Sequence, residues 1–251
     1  MRLRGAWALV AAVLASGTAA LAEETCAGPP YTDAPDQLSA LLLRLVETLK
    51  PFPALTSALF DQAPKICLSD DLFEEQGYFE PRSNRIVLNV KLDQDFQLAI
   101  LIHEIRHLEQ FERGSCPAIS YRMTDYIRAR LALEADASAI GVYVAWVMSQ
   151  AGDSGPWEVL KTWPTHDDLV ARFADEIARG SDEVAATAAT FAQWFESAKR
   201  REMYTFAICS NYLDALDREK VNAGQDSLPE DYAARLCVLP DGRPYGCTLP
   251  P

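Results

Sequence analysis

From Gln94 to Arg113 apolar residues recur at steps of three and four, at Leu98, Leu101, Ile105, Leu108 and Phe111, and Gly114 closes the run. That is the period of an amphipathic α-helix, ended by a residue that accepts a left-handed backbone. The residues just before it obey another rule. In Arg85–Val90, Ile86, Leu88 and Val90 alternate with Val87 and Asn89, which is the two-residue period of a strand. A chain that changes period so abruptly has to pack helices against a small sheet. An α+β, mainly helical fold is expected.

The helical run contains His103-Glu104-Ile105-Arg106-His107. A helix turns roughly 100° per residue, so positions four apart return to nearly the same side. His103 and His107 therefore point together, one turn apart, as two imidazole ligands of one tetrahedral zinc ion must. Glu104 is offset by one residue, which aims its carboxylate beside such an ion, where a general base would act on water. The plain alternative is a surface helix with two ordinary histidines. Against it, the motif sits in a strongly periodic helix, follows a strand pair, and uses two of only three histidines in the chain.

A catalytic zinc site takes three protein ligands and keeps a fourth position open. The next helical pattern, about Ser120 to Gln150, contains Leu131-Ala132-Leu133-Glu134-Ala135-Asp136-Ala137. Its alanines let two helices approach closely, and Glu134 is the best candidate for the third ligand. Asp136 lies roughly 200° around the same helix, so both acids cannot face one ion. It either bonds a ligating imidazole from behind or faces solvent. Arg106 and Gln110, one turn apart, are candidates for bracing the ligand helix.

The remaining pattern fills in the frame. Helices are expected over Asp33–Lys50, with Leu38, Leu41, Leu42, Leu45 and Leu49 as the apolar stripe, and over Ala54–Gln62. Strands are expected at Lys65–Ser69, Gly77–Glu80 and Arg85–Val90, the last two joined by a turn at Pro81-Arg82-Ser83-Asn84. Further helices fit Trp157–Thr162, His166–Ala178, Asp182–Lys199 and Arg201–Asp217. Residues 222–251 are rich in proline and glycine and read as loop.

The first residues concern the compartment. Arg2 and Arg4, an apolar run from Ala6 to Ala15 and the small-residue end Ala20-Leu21-Ala22 have the layout of a secretory signal peptide over residues 1–22. The apolar run falls short of the about 20 residues that span a bilayer. A soluble chain of residues 23–251 is expected, periplasmic or secreted, without stable membrane insertion. It reads as one domain, with its core at about 65–150, a helical part at about 155–217 and a tail at 222–251. All six cysteines, Cys26, Cys67, Cys116, Cys209, Cys237 and Cys247, follow the leader. An even count in an exported chain favours disulfides, three of them, with at least one of Cys237 and Cys247 tied to the helical body. The formal charge of −13 repels phosphate backbones and argues against nucleic-acid partners.

HEIRHLEQ followed by an LEADASA helix resembles the minimal glutamate-zincin pattern, HExxH on one helix and a Glu-Ala-Asp or Glu-Ala-Asn segment on the next. The fuller form, with Arg106, Gln110 and the Glu-Ala-Asp-Ala run, is similar to a bacterial family of uncharacterised candidate metallopeptidases. The resemblance covers roughly Gly77 to Val147. It implies a zincin-like arrangement, zinc ligands His103, His107 and Glu134, base Glu104 and hydrolysis of a polypeptide substrate. The chain lacks a third histidine at the end of HExxHxxGxxH, which disfavours the metzincin branch. Ser138 also stands where one glutamate-zincin form has aspartate.

The oxyanion donor is left open among Tyr121, Tyr126, Tyr143, Arg130 and His166. Arg85–Val90 is expected at a sheet edge, where an extended peptide adds as a further strand. Two other classes stay in view. One is a zincin-fold binding module without turnover, which the intact Glu104 argues against; the other is an exported helical protein with no metal.

Overall fold

The computed structural model describes residues 24–72 and 76–249; the leader read at 1–22 lies outside them. The elements run β1 (Thr25–Ala27), α1 (Asp36–Leu49), α2 (Pro53–Gln62), β2 (Lys65–Ser69), β3 (Gly77–Glu80) and β4 (Arg85–Asn89). They continue with α3 (Gln94–Glu112), α4 (Met123–Gln150), α5 (Gly155–Thr162), α6 (Asp167–Ala178), α7 (Glu183–Trp194), α8 (Ala198–Glu219) and α9 (Tyr232–Leu236). The α+β, mainly helical expectation is met.

The sheet order is β1-β2-β4-β3. β2 and β4 are parallel, while β1 and β3 run antiparallel to their neighbours. This corrects the edge assignment: β4 is paired on both sides, and β3 is the edge strand beside it. The start of β3 lies so close to α3 that a Cβ on Gly77 would stand 2.6 Å from Ile100 Cγ2. Only glycine lets the edge strand press against the helix that carries the histidines.

Apolar pattern decided most helices. The five leucines of the α1 stripe are all buried. Phe111 departs from the expected stripe: it is 45% exposed and packs its ring 6.1 Å from that of Phe79. The helix expected over Asp182–Lys199 stops at Trp194, because Ser197 starts α8 by accepting from Arg200 N–H. α4 is buried along most of its length, with Ala129, Ala132, Ala135 and Ala139 fully enclosed. Its most apolar window is 83% buried inside the protein, the condition of a core helix. One buried cluster reaches from Ala27 through α3 and α4 to Tyr245.

Two disulfides are present among the described residues, not the three expected. Cys26–Cys67 joins residues directly opposite each other in β1 and β2. Cys237–Cys247 closes the tail on itself instead of fastening it to the helices. Cys116 and Cys209 remain thiols. The tail is held to the helical body by hydrogen bonds, and part of it, α9, is helical where loop was expected. Two disulfides suit an oxidising, extracytoplasmic compartment.

Candidate metal centre

α3 begins at Asp93, whose side chain accepts from Phe96 N–H at 2.8 Å, and this cap fixes the helix phase. One turn apart on its exposed side, His103 and His107 bring their Nε2 atoms to 3.0 Å from each other. Across the α3–α4 contact, Glu134 Oε2 lies 3.5 Å from His107 Nε2 and 3.7 Å from His103 Nε2. A four-coordinate ion with bonds of about 2.0–2.1 Å holds its donors about 3.3 Å apart. The observed triangle matches that size, and its donors, two imidazole nitrogens and a carboxylate oxygen, are those that bind such an ion. The three side chains are 13–17% exposed, so solvent reaches them. The other group of potential ligands among the described residues, Glu24, Cys26 and Cys67, has both sulfurs spent in a disulfide.

Hydrogen bonds decide which nitrogen of His107 is free. The Gln110 amide nitrogen sits 2.6 Å from Asp136 Oδ2 and 3.0 Å from Leu133 O, both pure acceptors. The amide must therefore turn its oxygen to His107 Nδ1, at 2.8 Å. Nδ1 donates, so in the neutral imidazole Nε2 is the nitrogen that carries the lone pair towards the triangle. Asp136 is thus not bonded to an imidazole, as one reading had it, nor is it in solvent. It is 0% exposed and acts one step further out, through Gln110.

Arg106 lies across the same carboxylate. Its Nε and Nη2 donate to Asp136 at 2.7 and 3.0 Å, and its Nη1 lies 2.9 Å from Glu109 Oε2. Arg106 is fully buried, so the pair is a closed internal ion pair between α3 and α4. Ser138, standing where a second acid occurs in one zincin form, has a buried hydroxyl without a partner.

Glu104 is 7% exposed. Burial pushes its carboxyl up; His103 and His107 oppose that, Glu134 adds to it, and a hydrogen bond from the Phe79 backbone opposes it. The result is a raised carboxyl next to the imidazole pair and tied to the edge strand β3. A base raised towards neutrality is better matched to taking a proton from water. Burial also works against charge on Glu134, yet the imidazoles of His107 and His103 hold its carboxyl well below the ordinary range.

Of the five oxyanion candidates, His166 is the one whose ring packs against the histidine pair, 6.4 Å from His103. It stacks on Trp163 at 4.0 Å, and its Nδ1 meets Thr165 Oγ1 at 3.0 Å. Arg200 of α8 holds that turn by donating to Thr165 O at 2.9 Å. Burial, with His103 and Arg200 nearby, pushes the His166 imidazole well below its usual value against the pull of Glu134. Elsewhere, the Tyr126 ring packs on Tyr212, Tyr143 packs on Phe52, Tyr121 bridges to Asp226, and Arg130 is coupled to Cys116.

Sequence reasoning missed Tyr204. Burial raises its phenol first, and the charges of Glu134 and Glu104 raise it further, so the phenol feels both acids. Its only sequence signal is a place in the helical pattern of α8.

A search of the curated proteins and of the solved structures finds no match to the chain. Residues 19–247 do match one family model, described as "Putative metallopeptidase family (DUF6782)". A metal ion is what such a family implies, and the triangle of His103, His107 and Glu134 is a group able to hold one. With nearly its whole length matched, the chain belongs to this metallopeptidase family.

Proposed function

We propose that the protein is an exported, zinc-dependent metallopeptidase in which His103, His107 and Glu134 bind zinc and Glu104 is the general base. The observation that carries the reading is the convergence of two imidazole Nε2 atoms and one carboxylate oxygen within 3.7 Å, next to a buried acid. Two nitrogens and one carboxylate favour zinc over calcium or magnesium, which prefer all-oxygen shells. When bound, zinc supplies a Lewis acid that polarises a carbonyl and acidifies water.

The chain's own groups do the rest. Glu104 takes the proton from the attacking water and passes it to the leaving amine. His166, from the start of α6 and with its ring 6.4 Å from that of His103, is suited to donate to the carbonyl oxygen as it gains charge. β3 has no further strand partner among the described residues, and Phe79 links it to Glu104. An extended polypeptide adding to that edge would run past the base, with main-chain hydrogen bonds fixing its register. The two disulfides and the leader-like first residues support export.

The test is zinc content measured beside proteolysis of an unfolded protein such as reduced casein. The wild type should carry one zinc per chain and cleave. His103→Ala and Glu134→Ala should lose the zinc. Glu104→Gln should keep the zinc and lose about 100-fold or more in cleavage rate. Undiminished cleavage by Glu104→Gln would remove Glu104 from its role.

A further inference from the structure

The tail after α9 is a small closed unit. Leu239 N–H donates to Arg243 O at 2.8 Å, Tyr245 N–H donates to Cys237 O at 3.0 Å, and the Cys237–Cys247 bridge shuts the loop. These internal bonds account for the shape of the strap but not for what it reaches. The carbonyls of Leu236 and Val238 accept from Arg106 Nη2 at 3.2 and 2.9 Å. The Tyr245 hydroxyl, on a ring 3% exposed, donates to Asp136 Oδ1 at 2.6 Å. The other oxygen of Asp136 takes the Gln110 amide, and Gln110 takes His107 Nδ1–H. Three hydrogen bonds thus run from the strap to a metal-facing imidazole. Arg106, the neighbour of His107 on α3, is gripped by the same strap.

We infer that the C-terminal strap is a working part of the metal site, and that Tyr245 is a positioning residue acting on His107 through Asp136 and Gln110. The inference rests on the metal-binding reading above. Its physical content is control of a tautomer. Gln110 presents oxygen to His107 only while its nitrogen is held by Asp136 and Leu133 O. A flipped amide would offer N–H to Nδ1, and a neutral His107 would then carry its proton on Nε2, facing the metal. Tyr245 and Arg106 together fix the Asp136 carboxylate that prevents this.

The experiment is a double-mutant cycle on the full chain, read as zinc affinity by competition with a chromophoric chelator. The wild type, Tyr245→Phe, Gln110→Ala and the double variant are compared, each below its own unfolding temperature. Tyr245→Phe should weaken zinc binding about 10-fold, the scale of outer-shell substitutions. The double variant should bind no more weakly than Gln110→Ala alone, because the path passes through Gln110. A general loosening of packing would instead add in full to the Gln110→Ala loss. If Tyr245→Phe does not fold, Cys237→Ser with Cys247→Ser opens the strap with Tyr245 still present, and the same Gln110-dependent loss is expected. Unchanged affinity in Tyr245→Phe, or losses that simply multiply, would overturn the role of the strap while leaving the zinc site standing. A wild type that binds no zinc would overturn both.

Discussion

Replacing Asp136 with alanine should be among the most destabilising single changes available to this protein, and its size can be worked out from four contacts. Asp136 accepts from Arg106 Nε at 2.7 Å, Arg106 Nη2 at 3.0 Å, Gln110 Nε2 at 2.6 Å and the Tyr245 hydroxyl at 2.6 Å. Removing one partner of a buried ion pair costs about 3–5 kcal/mol. The lower end applies here, because Arg106 keeps Glu109 at 2.9 Å and two backbone carbonyls. Tyr245 loses its hydroxyl's partner, for about 1–3 kcal/mol more. Gln110 keeps Leu133 O and adds little. The loss is therefore about 4 kcal/mol, against a typical total of about 5–15 kcal/mol.

Asp136→Asn, of nearly equal volume, should fare almost as badly. Each carboxylate oxygen serves two donors, so either orientation of the amide sets an N–H₂ against two N–H or O–H groups. Urea unfolding of the metal-free protein, followed by tryptophan fluorescence, reads both losses as shifts in midpoint at constant slope. A change of less than about 1 kcal/mol in either variant would refute the assignment of Asp136 as a saturated buried acceptor.

Other outcomes follow from the same geometry. Because His166 is depressed in the folded state, it contributes stability that is whole above its unfolded pKa of about 6.5 and is lost as pH falls below it. In His107, burial is outweighed by Glu134 and Glu104, which raise it to about 9, so its contribution is already complete below about 6.5 and flat there. His166 should therefore subtract from the urea midpoint of the metal-free protein between about pH 6.5 and 5, against the opposing gain from the raised Glu104, and His166→Phe should hold up better than the wild type as pH falls through that range; equal slopes would disprove the attribution. Gly77→Ala should cost about 1–3 kcal/mol, since its Cβ would stand 2.6 Å from Ile100 Cγ2, and an unchanged melting temperature would deny that close approach. Zinc at about a thousand times its dissociation constant should stabilise the protein by about 4 kcal/mol, and Glu134→Ala should abolish most of that gain in a thermal melt.

What the sequence made legible was whatever repeats locally. The α1 leucines and the alternation around Ile86 and Leu88 located their elements within a few residues, and the turn-apart histidines do meet Glu134 in one group. β1 has three residues, too few to show a period, and exists because Cys26 stands opposite Cys67. The edge strand was misplaced because chain order says β4 adjoins the helix, while sheet order puts β3 outside it. His166 and Tyr204 approach the site from helices that no local pattern connects to it. The strap bonds residues more than a hundred positions away, as with Tyr245 and Asp136, and a proline- and glycine-rich tail gives no sign of that.

The acid pair of α4 shows how one helix sets Glu134 beside the imidazoles and Asp136 inside an ion pair, where the sequence had left Asp136 open between an imidazole and solvent. Two residues along a helix face nearly opposite ways, so one helix can serve two electrostatic environments. Glu134 looks onto a solvent-touched face, where two imidazoles lie within 3.7 Å of its carboxylate. Asp136 looks into a fully enclosed one, where a guanidinium, an amide and a phenol must compensate its charge. On α3 the neighbours Arg106 and His107, about 100° apart, likewise meet the enclosed and the solvent-touched environment respectively. The interface between these helices therefore places the His103, His107 and Glu134 group on one flank and a buried ion pair on the other. Gln110 is the residue that touches both, bonding His107 and Asp136 at once. On the proposed role of the strap, a change that moves the buried pair reaches His107 through Gln110.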